Sequence, residues 1–165
     1  MQFIHSKPLR REALLVACLA CPAAAFGATA TTSFTVTATV VATCAVSAGN
    51  LGFGNYATTV LDATTTISVT CTNLTPYLVE LDAGIGSGAT VAARRMTGPS
   101  SETLSYSLYQ DAGRLLVWGP TSALQSVAGT GNGAAQTLTV YGRVNASQSP
   151  QAGSYADTIT VTVTY

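Results

Sequence analysis

Apolar and polar residues alternate through most of the chain after residue 30. Residues 33–43 read SFTVTATVVAT, with Phe34, Val36, Ala38 and Val40 on one side and Thr35, Thr37 and Thr39 on the other. A period of two with β-branched residues predicts a half-buried strand. The last residues repeat the pattern: Tyr155, Asp157, Ile159, Val161, Val163 and Tyr165 share a face, with Thr158, Thr160, Thr162 and Thr164 opposite. Shorter runs at 64–72, 76–82, 103–109, 114–118 and 136–145 predict further strands. Clusters of Gly, Pro and Asn at 49–55, 84–88, 98–101, 129–133 and 147–153 separate them as turns. No segment has convincing helical periodicity. About seven short strands punctuated by turns predict an all-β sandwich of two antiparallel sheets.

Composition narrows the class. A chain of 165 residues holds one domain of ordinary size. Hydrophobic residues make up 47% and charged residues 8%, which excludes a solvating disordered chain. So few Lys and Arg argue against nucleic-acid binding. Threonine occurs 26 times, always after residue 28, and favours pleated sheet.

The first residues are built differently. Lys7, Arg10 and Arg11 precede an apolar stretch over 13–26, and Ala23-x-Ala25 and Ala28-x-Ala30 offer cleavage sites. This layout predicts a secretory signal peptide over 1–28, cut within about 25–30. The stretch is too short to span a bilayer. Leu15-Val16-Ala17-Cys18 resembles a lipoprotein cleavage box, but the apolar run continues past Cys18. Cleavage removes every Lys, the single His, and Cys18 and Cys21. Four Arg and six acidic residues remain, a net charge of −2. Two cysteines remain, Cys44 and Cys71, and in an exported chain an isolated pair predicts a disulfide. Closing that loop of about 28 residues would restrict the unfolded chain by roughly 3–4 kcal/mol.

The sequence carries little catalytic chemistry. Without His, neither a Ser-His-Asp nor a Cys-His arrangement can be built. Glu80 and Asp82 share a strand face, the ordinary decoration of a solvated surface. Gly84-x-Gly86-x-Gly88 lacks the following helix of a dinucleotide site, and Gly129–Gly133 lacks a following Lys-Ser/Thr. Asp111-Ala112-Gly113 reads as a hairpin turn. Trp118, after Leu115-Leu116-Val117, reads as core, and Arg94-Arg95 as a strand edge or rim pairing with carboxylates. No enzyme activity, cofactor, metal, small-molecule substrate or nucleic-acid partner is expected.

Several segments together form a family pattern. They are Leu51-Gly52-Phe53-Gly54-x-Tyr56, Ile67-Ser68-Val69-Thr70-Cys71, Leu104-Ser105-Tyr106-Ser107-Leu108-Tyr109-x-Asp111-Ala112, Val117-Trp118-Gly119, Val140-Tyr141-Gly142-Arg143-Val144, and Ala152-Gly153-Ser154-Tyr155-x-Asp157 running into the final alternation. In this order the chain resembles the spore coat protein U domain family, which includes the Csu-type pilins of archaic chaperone–usher pili. The resemblance implies an immunoglobulin-like sandwich that lacks its last strand. A periplasmic chaperone lends that strand, and during export through an outer-membrane usher the N-terminal strand of a neighbouring subunit replaces it. The polymer is a bacterial surface fibre for adhesion and biofilm formation. Some relatives are secreted or spore-coat proteins that need not form pili.

The residue pattern agrees with that mechanism. An open sheet edge over an apolar groove must be covered, and adding a strand from another chain is a known solution. Residues 29–38 are expected as donor strand and 39–165 as the sandwich. Phe34, Val36, Ala38 and Val40 would fill successive pockets, and Tyr155, Ile159, Val161, Val163 and Tyr165 would border the acceptor groove. The rival reading makes 33–43 the first strand of a self-complete sandwich. Both hold in part if about 31–38 is donor and 39–47 the subunit's own first strand.

Overall fold

The computed structural model describes residues 27–120 and 125–165. The leader expected over 1–28 lies, up to residue 26, outside the described residues. The chain divides into two units at Ala38/Thr39. In the first, residues 27–38 are exposed and form no strand.

The second unit is the all-β sandwich that the alternation predicts. Its strands are β1 (Cys44–Ala48), β2 (Leu61–Cys71), β3 (Pro76–Leu81), β4 (Arg94–Thr97), β5 (Thr103–Tyr109), β6 (Val127–Thr130), β7 (Ala135–Val144) and β8 (Val161–Thr164). A 3-10 turn at Pro99–Ser101 is the only helical element among the described residues. One sheet has the order β1-β2-β7-β5-β4, the other β6-β3-β8. Every strand pair is antiparallel.

The core follows from the period-two pattern. Ile67 and Val69 of β2, Leu104, Tyr106 and Leu108 of β5, and Val140 and Val144 of β7 point inward from the larger sheet. Tyr77, Val79 and Leu81 of β3 meet them from the smaller one. Trp118 is 1% exposed, and its indole N–H donates to the Val79 carbonyl at 3.0 Å. The expected core role of this Trp therefore holds. Buried apolar side chains of this size each contribute roughly 1.5–3 kcal/mol.

Several sequence expectations need correction. Residues 33–43 form no strand; the first strand starts at Cys44. Alternation prepares a segment for a sheet, but a strand exists only beside a partner edge. Residues 114–118 form a turn that contributes one bridge, Tyr109 to Val117. Asp111 organises this turn by accepting the N–H groups of Leu115 and Leu116. The final run is split: Ala156 bridges to Thr97 of β4, and only Val161–Thr164 is a strand. Two strands, β4 and β6, lie where charge and Gly obscured them.

Arg94 departs furthest from expectation. It lies on an edge strand, β4, as expected, but it is fully buried and bonds backbone carbonyls where carboxylates were expected. Its guanidinium donates to the carbonyls of Asp82 at 2.8 Å, Val91 at 2.9 Å, Trp118 at 2.6 Å and Leu81 at 3.2 Å. Burial pulls its pKa below the usual arginine value, opposed by the neighbouring Tyr106, Asp82 and Asp157. The side chain satisfies backbone acceptors where β3 ends and the Trp118 segment passes.

Candidate strand-acceptor site

The disulfide joins the two residues that the sequence paired. Cys44 opens β1 and Cys71 closes β2, directly opposite in register. A cystine of this kind belongs to an oxidising compartment. Just before it, the Thr72 N–H donates to the Thr43 carbonyl at 2.9 Å, and the Thr43 N–H donates to the Thr72 hydroxyl at 3.1 Å. The chain is thus fixed to the end of β2 from Thr43 onward.

Two strand edges lie near this entry point. β1 is an edge of the five-stranded sheet and β8 an edge of the three-stranded one. They approach each other across the sandwich. On one side β8 pairs with β3; on the other it has no strand partner among the described residues. Half-buried side chains border this seam from both segments. Cys44 comes from the first; Ile159, Val161 and Val163 come from the last. Core apolar surface therefore reaches solvent beside an unpaired edge, the arrangement that invites strand addition.

The residues expected to border a groove differ in their burial. Tyr155, Ile159, Val161 and Val163 are half-buried against the core, with Thr158, Thr160, Thr162 and Thr164 exposed opposite them. Tyr165 does not join them: it is 57% exposed. The proposed donor side chains are bare. Phe34, Val36 and Val40 are 87%, 80% and 84% exposed, and Ala38 is exposed as well.

Further apolar residues, not singled out as site residues in the sequence, line a cleft. Residues 49–56 leave β1 and pass over the inner face of the larger sheet. Gly142 of β7 makes room for them, since a Cβ there would lie 2.7 Å from both Leu51 and Phe53. Phe53 also meets the Tyr106 ring edge-on at 5.9 Å. The Leu-Gly-Phe-Gly alternation was the available signal, but its glycines read as a turn. Leu51, Phe53, Leu61, Met96, Leu104 and Tyr155, together with Asn55, Thr58 and Gln148, line a cleft of about 880 Å³ at the Leu61 end of β2, away from the disulfide.

A polar clasp fixes the route of the last segment. Asp157 accepts the Tyr106 hydroxyl at 2.7 Å and the Ile85 N–H at 2.9 Å. Gly84 (φ +80°) must be glycine, because a Cβ would strike the Asp157 carboxylate. Asp82 accepts the N–H groups of Gly84 and Thr160, each at 3.0 Å. Burial pushes the Asp82 carboxyl up, but the hydrogen bonds from Thr160 and Gly84 and the Arg94 charge outweigh it, so its pKa lies below normal. Burial and the Asp157 carboxylate push the Tyr106 phenol far above its usual range. These groups hold the last segment against β3 and β5.

Comparison with known proteins agrees with the fold and motifs. Residues 30–162 match the Spore Coat Protein U domain, and the chain belongs to that family. It is similar to Protein U of Myxococcus xanthus, with 36% identity over 155 residues, covering 84% of this chain and 86% of the relative. Its fold is similar to a chain in the crystal structure of the CsuC–CsuE chaperone–tip adhesion subunit pre-assembly complex, from the archaic chaperone–usher Csu pili of Acinetobacter baumannii. That match has a TM-score of 0.55 and 21% identity, covering 77% of this chain and 41% of the other.

Proposed function

We propose that this protein is a structural subunit of an extracellular fibre, polymerising when residues 29–38 of one copy, with Val40 beyond them, complete the sandwich of the next. The observation that carries this reading is the pairing of two unmet requirements. Phe34, Val36 and Val40 alternate and are exposed, while β8 presents an edge with no strand partner among the described residues, beside half-buried apolar side chains. Burying the three large residues would contribute roughly 1.5–3 kcal/mol each, before ordering costs. The contact is head-to-tail, so it extends into a filament. A donor lent by a periplasmic chaperone would protect the edge before export through an outer-membrane usher. The fibre would serve adhesion and biofilm formation at the cell surface.

A second reading is a secreted coat protein, favoured by the 36% identity to Protein U. It separates from the first by whether copies are joined through the N-terminal segment. Val36→Asp tests the point. The fibre reading expects the secreted domain to keep its disulfide and fold but to form no polymer. Normal fibres from Val36→Asp would remove Val36 from the donor role.

A further inference from the structure

Leu74 is an exposed leucine held in an unfavourable backbone conformation. It is 76% exposed with φ +61°, a region that bulky residues avoid. The turn around it is firmly tied. The Leu74 N–H donates to the Gly131 carbonyl at 2.8 Å, the Thr75 N–H to Thr72 at 3.1 Å, and the Gly131 N–H to Thr75 at 2.7 Å. Val41, 73% exposed, lies alongside, its carbonyl 3.5 Å from the Thr72 hydroxyl. The turn is therefore a rigid apolar projection beside the point where the chain enters the sandwich.

The cleft, lined by Asn55, Thr58 and Gln148 as well as by apolar side chains, lies at the opposite end. β2 runs from Leu61, which lines the cleft, to Cys71, which adjoins the Leu74 turn. Its 11 residues separate the two by about 33 Å. None of the residues lining the cleft is charged, nor is any residue of the turn 72–75.

Chain length brings these ends together between copies. A donor added antiparallel to β8 continues the pattern of every pair in the fold and runs toward the start of β8. Residues 34–40 then lie along 159–165, leaving the cleft beyond the donor's end. From Val40 to Thr43 the chain can span only about 10 Å. The Leu74 end of the donating copy is thereby held against the cleft end of the acceptor.

We propose that the Leu74 turn of one copy seats in the cleft lined by Leu51, Phe53, Leu61, Met96, Leu104 and Tyr155 of the next. This second contact rests on the donor-strand reading and limits bending at each junction. It assigns the cleft an occupant: another copy of this chain.

Paired cysteines test the contact. Full-length protein carrying Leu74→Cys and Asn55→Cys, the latter at the cleft, is exported beside a control with Leu74→Cys and Thr66→Cys. Thr66 is exposed on the outer face of β2. The expected result is a ladder that survives boiling without reductant in the first protein only. If the unsubstituted protein gives a boiling-sensitive ladder but the two variants cross-link equally or not at all, the cleft contact is overturned while strand donation stands. If it gives no ladder at all, strand donation fails and the contact fails with it. Should the cysteines lower the yield, Leu74→Asn carries the test, since Asn tolerates positive φ. Its ladder should persist while the fibre's persistence length in micrographs falls at least twofold; an unchanged length overturns the proposal.

Discussion

The Tyr106 hydroxyl donates to the Asp157 carboxylate at 2.7 Å, tying the inner face of β5 to the segment that crosses from one sheet to the other. Ala156 still bridges to β4, while Thr160 already bonds Asp82 at the end of β3. Asp157 stands between them. Tyr106→Phe should lower folding stability by about 1.5–3 kcal/mol, the range for a hydrogen bond to a charged group. Urea denaturation measures the loss. An unchanged midpoint would show that the clasp does not stabilise the crossing.

Acid and alkali should act on different residues. Asp62 is held below the usual carboxylate range chiefly by the Arg143 hydrogen bond, and Asp111 chiefly by the Leu116 N–H. Asp82 is also below it. A carboxylate lowered in the folded state stabilises above its unfolded value and loses that contribution as pH falls. Stability should therefore decline progressively below about pH 3.9. Tyr106 has the opposite sign: raised in the fold, it favours the native state below about pH 10, and the advantage disappears above that. Thermal melts across pH should show both limbs, with the alkaline one flatter in Tyr106→Phe.

Arg94→Met should be far more damaging than an ordinary surface change. It leaves four carbonyls without their donor, so at least about 3 kcal/mol should be lost. Arg94→Lys should restore only part, because an ammonium cannot reproduce the planar fork. Equal stability of Arg94→Met and the parent in a denaturant titration would contradict the burial role.

Breaking the Cys44–Cys71 bond should cost about 3–4 kcal/mol on the loop-entropy model. Cys44→Ser and Cys71→Ser should show equal losses, and reducing agent should destabilise only the parent. A parent melting curve insensitive to reductant would argue against a stabilising disulfide.

Much of this architecture is legible in the residue pattern, for identifiable reasons. β5 falls on the predicted residues because Leu104, Tyr106 and Leu108 recur at a period of two on the core face; Ser107 between them is buried as well, its hydroxyl donating to the Ala92 carbonyl. β4 escapes because two adjacent arginines look solvated, while backbone carbonyls provide Arg94 with a buried site. β6 escapes because Gly129 reads as a turn; there it accommodates the Tyr77 ring. Residues 33–43 show the limit of periodicity: it gives a face to a segment but does not name the edge that receives it. The half-buried face of the last segment is visible in the sequence as an alternation. Leu51 and Phe53 required the three-dimensional crossing over Gly142.

The most direct test of strand donation is an electrophoretic comparison of periplasmically expressed protein, with and without boiling, beside a form whose exported chain begins at residue 39. The account predicts a ladder of multiples in the unboiled parent, collapsing to monomer on boiling and absent from the truncated form. A single monomer band from soluble, folded parent protein expressed without a chaperone would contradict it, showing that the sandwich needs no strand from a second copy.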